Sequence, residues 1–154
     1  MHVRSLRHDD IEVALALWAR TENLGSVSRA EVEQVLAHDP GLVLVAEHGG
    51  ELVGVVLGTY DGRRGWIQRL AVDPDARRGG IGRALVAELE QRLVDRGCRQ
   101  VNLLVYDENR DGRAFWASVG YEGTDRIALY RRRLDGTDPE PDPHGVASGR
   151  VRDC

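Results

Sequence analysis

Arg77, Gly80 and Gly82 stand in the order Arg-x-x-Gly-x-Gly inside the stretch Trp66 to Leu85, WIQRLAVDPDARRGGIGRAL. The stretch starts as an apolar strand, breaks at Asp73-Pro74, crosses an arginine–glycine loop and continues as a helix. A helix N-terminus carries N–H groups with no intrahelical acceptor and the positive end of the helix dipole, so it suits an anion. Glycine at 80 and 82 removes the Cβ atoms that would obstruct close backbone approach. Arg77, Arg78 and Arg83 add positive potential. The expected occupant is the pyrophosphate of a nucleotide-containing cofactor. The plainer explanations of the same residues are a solvated arginine surface and an ordinary helix-entry turn.

Two familiar phosphate motifs do not fit. A Walker A loop ends in Gly-Lys-Ser/Thr, and this chain contains no lysine. A dinucleotide fingerprint needs a third glycine three residues after the second, and that position is Leu85. No parallel βαβ unit with a ribose-binding acid follows.

Composition narrows the class. At 154 residues, with 42% hydrophobic and 30% charged residues, the chain reads as one soluble domain with a real core. A net charge of −4 argues against nucleic-acid binding driven by phosphate contacts. The absence of lysine removes Schiff-base chemistry. The first ten residues carry His2, Arg4, Arg7 and two aspartates and read as no signal peptide, and no apolar run is long enough to span a membrane, so a cytoplasmic location is expected. Cys98 reads as a semi-buried small hydrophobe, and Cys154 ends a polar tail, so no disulfide is expected. The five histidines are dispersed and predict no metal site.

The elements that must position the loop follow from pattern. Residues 2–6 read as a strand, and Asp9 or Asp10 caps a helix with Ile11, Ala14, Leu15, Leu17 and Trp18 on its apolar side. Ser28 with Glu31 predicts the start of a second helix. Leu42–Glu47, Leu52–Tyr60 and Gly65–Val72 read as three antiparallel strands with turns at 48–51 and 61–62. Ile81, Leu85, Leu89 and Leu93 predict a helix ending before Gly97. Val101–Tyr106 reads as a central strand, Arg113–Val119 as a short helix, and Tyr121–Gly123 with Ile127–Arg133 as a final strand pair. The expected fold is α+β: a mixed, mostly antiparallel sheet flanked by helices on both faces, in the order β-α-α-β-β-β-α-β-α-β-β. Residues 1–134 form the domain, and 135–154 read as a disordered polar tail.

The loop, in this order of elements, resembles the acetyl-CoA loop of the GNAT superfamily of N-acetyltransferases, whose motif is Gln/Arg-x-x-Gly-x-Gly/Ala. Ala71-Val72-Asp73-Pro74, Asn109 and Phe115-Trp116-x-x-x-Gly120-Tyr121 match as well. Leu44-Val45-Ala46-Glu47, Tyr60-Asp61-Gly62-x-Arg64-Gly65 and Arg96-Gly97-Cys98 are similar to small bacterial acetyltransferases of the YpeA type. The resemblance implies that Arg77, Arg78, Gly79, Gly80, Ile81, Gly82 and Arg83 hold the pyrophosphate. It implies that Leu70, Ala71 and Val72 pair with the pantetheine arm, with Asn109, Phe115 and Trp116 beside it.

The implied reaction is direct transfer of acetyl from acetyl-CoA to a primary amine, on a small molecule or a peptide. The Val72 N–H would polarise the thioester carbonyl. A base helps to supply the neutral amine, and Glu22, Asp61, Asp107 and Glu108 are candidates, with Asp61 first. The family's usual acid is a tyrosine at the position of Trp116. Either the thiolate leaves unassisted, as a thiol pKa near about 8.5 permits, or Tyr106 or Tyr121 substitutes. The glutamate base of ribosomal-protein alanine acetyltransferases aligns with Leu104. These departures keep a second reading open, a non-catalytic acyl-CoA-binding or regulatory module. The acceptor amine, the acyl-chain preference and the oligomeric state stay open, a homodimer among the options.

Overall fold

The computed structural model describes residues 1–138. Its contacts divide the chain into two units, Met1–Leu104 and a second beginning at Val105.

The first unit is built on a five-stranded sheet, β1 (His2–Ser5), β2 (Val43–His48), β3 (Glu51–Tyr60), β4 (Gly65–Val72) and β5 (Val101–Asn102), in that spatial order. β1 to β4 pair antiparallel, and β5 joins β4 in parallel. A parallel neighbour needs a crossover, and α3 (Ile81–Asp95) supplies it. Two further helices, α1 (Ile11–Ala19) and α2 (Arg29–His38), connect β1 to β2.

Side chains alternate across the sheet, so each face recruits its own helices. Val43, Val45, Val55, Leu57 and Ala71 pack with Ile11, Ala14, Leu17 and Trp18 of α1 and with Val32 of α2. On the other face α3 buries Ile81, Leu85, Val86, Leu89 and Leu93, each contributing roughly 1.5–3 kcal/mol. It lies close because glycines face it. A Cβ on Gly54 would stand 2.8 Å from Ile81 Cγ2, and one on Gly58 2.6 Å from Leu89 Cδ1. One on Gly65 would stand 2.9 Å from the sulfur of Cys98, which is buried as expected.

Local signals fix the helix ends. Ser28 Oγ accepts from the Glu31 N–H at 3.1 Å and opens α2. Gly97, at φ 89°, turns the chain out of α3 in the left-handed region. Asp10 precedes α1, but its carboxylate accepts from the Arg7 N–H and from Arg4 instead of capping α1.

In the second unit α4 (Arg110–Ser118) starts three residues earlier than the sequence predicts. Asn109 is the cause: its Oδ1 accepts from the Gly112 N–H at 2.9 Å and nucleates a turn that the polar run Asp-Glu-Asn-Arg-Asp had disguised. Two other expectations need correction. The strand predicted over 101–106 stops at Asn102, and 121–123 and 127–133 form no strand among the described residues. A strand needs a bonded neighbour, and a two-residue β5 offers almost no edge to extend. Ile127, Leu129 and Tyr130 are accordingly exposed. The tail predicted from residue 135 lies, from 139 on, outside the described residues. Among the described residues no helix is long and apolar enough to cross a membrane.

Candidate active site

The centre of the site is a bulge in β4. Leu57 pairs with Gln68 and Val55 with Ala71, which leaves Arg69 and Leu70 opposite Val56. Gln68 and Ala71, three residues apart, therefore share a sheet face that a regular strand would deny one of them. The extra residue is accommodated at Arg69, which adopts φ 55°. Left-handed backbone costs a residue with a Cβ about 1–2 kcal/mol. Three contacts offset it. The Trp18 indole N–H donates to the Arg69 carbonyl at 2.6 Å. The Arg69 Nη2 donates to the Gly25 carbonyl at 2.7 Å. The guanidinium carbon lies 5.2 Å from the centre of the buried Trp18 ring.

Beyond the bulge, the Asp73 N–H donates to the Val53 carbonyl, back toward β3. Backbone groups alternate in direction along an antiparallel strand, so the Val72 N–H points to the opposite edge. Along that edge β5 pairs only with Gly65 and Trp66. From Ile67 to Val72, roughly 15 Å at the usual rise, no strand covers it among the described residues.

The chain then turns through Pro74–Ala76, where Asp73 Oδ1 accepts from the Asp75 N–H and Asp73 Oδ2 accepts from Arg20 at 2.9 Å. Arg78 (φ 69°) and Gly80 (φ 74°) are both left-handed, and α3 begins at Ile81. The first bond of α3 runs from the Ala84 N–H to the Gly80 carbonyl. The N–H groups of Ile81, Gly82 and Arg83 precede it and have no intrahelical acceptor. The first turn carries no acidic residue, and Arg77, Arg78 and Arg83 are exposed around it. Gly80 is required by its backbone angle, and space beside it is open. At Gly79 a Cβ would make only an ordinary contact with the Ala76 carbonyl, so no glycine is demanded there.

Two cavities flank the bulge on the α1–α2 side. One, of about 350 Å³, is lined by Val27, Glu31, Trp66, Gln68 and Leu104 among others. The second, of about 250 Å³, is lined by Leu15, Trp18, Leu24 and Gly25 among others. Val27 and Arg69 line both.

The structure brings Leu70, Ala71, Val72 and the 77–83 loop onto one continuous segment, and it separates Asp61 from them. Asp61 sits in the β3–β4 turn, where its Oδ1 accepts from the N–H groups of Arg64 (2.7 Å) and Arg63 (2.8 Å). Those two backbone bonds hold its carboxyl below the usual carboxylate range. Val72 is at the other end of β4, about 20 Å along the strand. The carboxylate is thus engaged within its own turn, at the end of β4 away from Val72. In the second unit Trp116 packs edge-on against Phe115 (5.1 Å) and Tyr121 (5.2 Å). The Tyr106 carbonyl accepts from the Asn109 N–H. The cap uses Asn109's carboxamide oxygen, so its NH2 is the part suited to a ligand.

Gly25, Trp66, Gln68 and Arg69 surround the bulge and its cavities without a role read from sequence, and Trp18 and Glu31, read there as helix-face and capping residues, join them. One signal for the bulge was available: Gln68-Arg69 interrupts an otherwise apolar strand and shifts its alternation.

The Acetyltransferase (GNAT) family model matches residues 12–121. An acetyltransferase of Sodalis glossinidius is 42% identical over 136 residues, spanning 87% of this chain and 96% of that protein. One of Pectobacterium atrosepticum is 41% identical over 137 residues, spanning 88% and 97%. Among solved structures, Ard1 from Thermoplasma volcanium aligns with TM-score 0.74 at 25% identity, over 80% of this chain and 83% of that one. Chaetomium thermophilum Naa20, in complex with a bisubstrate analogue, aligns with TM-score 0.71 at 28% identity, over 79% and 71%. With the bulged β4, the open edge and the bare first turn of α3 in place, the chain belongs to the GNAT acetyltransferase family.

Proposed function

We propose that the protein is an acetyl-CoA-dependent N-acetyltransferase that transfers acetyl directly to a primary amine. The observation that carries this reading is the succession, on one continuous segment, of an open β4 edge and a helix N-terminus whose first turn carries no acidic residue. The edge suits an arm with amide groups, and the helix end suits the pyrophosphate to which that arm is joined. The residues fit the group: N–H donors of Ile81, Gly82 and Arg83, three arginines nearby and no carboxylate in the first turn. Arg77 and Arg78 supply further positive potential, while Asn109, Phe115 and Trp116 are assigned to the arm by family resemblance.

The amine nitrogen attacks the thioester carbonyl carbon, the C–S bond breaks, and the acetyl group ends on nitrogen. The Val72 N–H, on the open edge, donates to the carbonyl oxygen as negative charge develops on it. The attacking amine must be neutral, and it gives up one proton after attack. With Asp61 engaged in its turn, that proton passes to water or to a carboxylate such as Glu22. The thiolate leaves unassisted, or Tyr106 protonates it, and Trp116 acts in packing. The cavity beside Trp66, Gln68 and Glu31 receives the acceptor. A neighbour bound to a bisubstrate analogue supports direct transfer.

The engagement of Asp61 also favours a second reading, an acyl-CoA-binding module without turnover. A panel of primary amines with acetyl-CoA, following free thiol, separates the two. Amine-dependent thiol release supports the enzyme. CoA binding without release on any amine supports the module.

A further inference from the structure

The Arg69 side chain joins the segment between α1 and α2 to the β4 bulge. Glycine would adopt the φ of 55° at position 69 without steric cost, so arginine there is sustained by what its side chain does. That side chain reaches 44 residues back to the Gly25 carbonyl and lies over Trp18, whose indole bonds the Arg69 carbonyl in return. Val27 follows Gly25 by two residues, and Val27 and Arg69 are the residues shared by the two cavities. The Arg69–Gly25 bond thus fixes the wall between them.

We propose that Arg69 is a positioning residue that sets acceptor size. By tying Gly25 to the bulge it keeps the smaller cavity, lined by Leu15, Ala19 and Leu24, separate from the larger one beside Trp66 and Gln68. The proposal rests on the reading that the acceptor enters the larger cavity. Releasing the tie loosens the wall at Gly25 and Val27 and opens an apolar extension to longer acceptors.

The test compares the parent chain with Arg69→Gly, which keeps the backbone angle and removes the tie, and Arg69→Lys, which keeps a donor and the charge. The probes are unbranched primary alkylamines of increasing length, measured as substrates with acetyl-CoA or, where they are not acetylated, as inhibitors. Hydrogen exchange of residues 21–27 is read in parallel. Arg69→Gly is expected to raise exchange in that segment by about tenfold. It is expected to lower KM or the inhibition constant for the longest amines by about fivefold, with kcat for the shortest changing less and CoA affinity within about twofold. Arg69→Lys restores part of the parent length limit. Unchanged exchange in Arg69→Gly overturns the tie. Raised exchange with an unaltered length limit overturns the role in acceptor size. If Trp66→Leu and Gln68→Ala alter no amine's constants, the acceptor-cavity reading falls and the size role with it, while exchange still decides the tie.

Discussion

The indole N–H of Trp18 donates to the carbonyl of Arg69 at 2.6 Å, joining a buried residue of α1 to the bulged residue of β4. This bond helps to aim the strand end that carries Val72. Trp18→Phe keeps an aromatic ring in the core and deletes the donor. It should cost about 1–3 kcal/mol, since the Arg69 carbonyl loses its partner, and should lower kcat more than it weakens CoA binding. Chemical denaturation and steady-state kinetics give both values. A stable variant with parental kcat would show that the bulge needs no such support.

Asp61 illustrates how position corrects a reading of residue type. It was the first base candidate because Tyr60-Asp61 ends a strand within a shared motif. Its carboxylate instead accepts two backbone N–H bonds in the hairpin turn. Asp61→Ala should therefore leave acetyl transfer within about twofold and lower stability only through the lost turn hydrogen bonds. A loss of transfer by orders of magnitude in a folded variant would return Asp61 to the chemistry.

What could be read from sequence was what depends on neighbours along the chain. The Ile81-Leu85-Leu89-Leu93 stripe, the Ser28 cap and the Gly97 stop are local, and the structure has them where the pattern puts them. The bulge left one local trace, the break in alternation at Gln68-Arg69, but the bond that stabilises it comes from Trp18, 51 residues away. Leu103, Leu104 and Val105 read as strand because they are apolar, yet strand formation depends on a bonded neighbour that sequence pattern does not reveal. The turn into α3 at Gly80 was legible, since glycine spacing is local. The larger cavity beside the bulge was not, since Val27 and Glu31, Trp66, and Leu104 are drawn from three separate segments.

The glycines facing α3 give a packing prediction. A Cβ at Gly58 would meet Leu89 Cδ1 at 2.6 Å and the Leu42 carbonyl oxygen at 3.0 Å. Gly58→Ala should force α3 outward and lower stability by about 1–3 kcal/mol. Gly62→Ala meets nothing within 4 Å, but sits at φ 94°, so its smaller cost is that of backbone strain alone. Thermal unfolding of the two variants checks the order.

Arg4 donates to Asp10 at 2.7 Å and to Glu47 at 2.5 Å. These hydrogen bonds hold both carboxyls below their ordinary values. A carboxylate whose pKa is lower in the folded state contributes stability above its unfolded pKa and loses it as pH falls through the folded one. Arg4→Met should therefore be less stable than the parent at pH 7, by about 2 kcal/mol through the largely buried Asp10 pair. The gap should start to narrow only below about pH 4 and close as pH falls through the lowered folded-state pKa of Asp10. Urea unfolding at about pH 7 and about pH 2 tests this, and an equal gap at each would contradict it.

If the first turn of α3 binds the pyrophosphate of CoA, calorimetric titration of CoA will distinguish the parent chain from Gly82→Glu. Gly82 lies in that turn, where glutamate adds both bulk and negative charge. The account predicts saturable binding to the parent and loss of at least about a hundredfold in affinity in a folded variant. Affinity within a few-fold of the parent, or no binding by the parent itself, would contradict it.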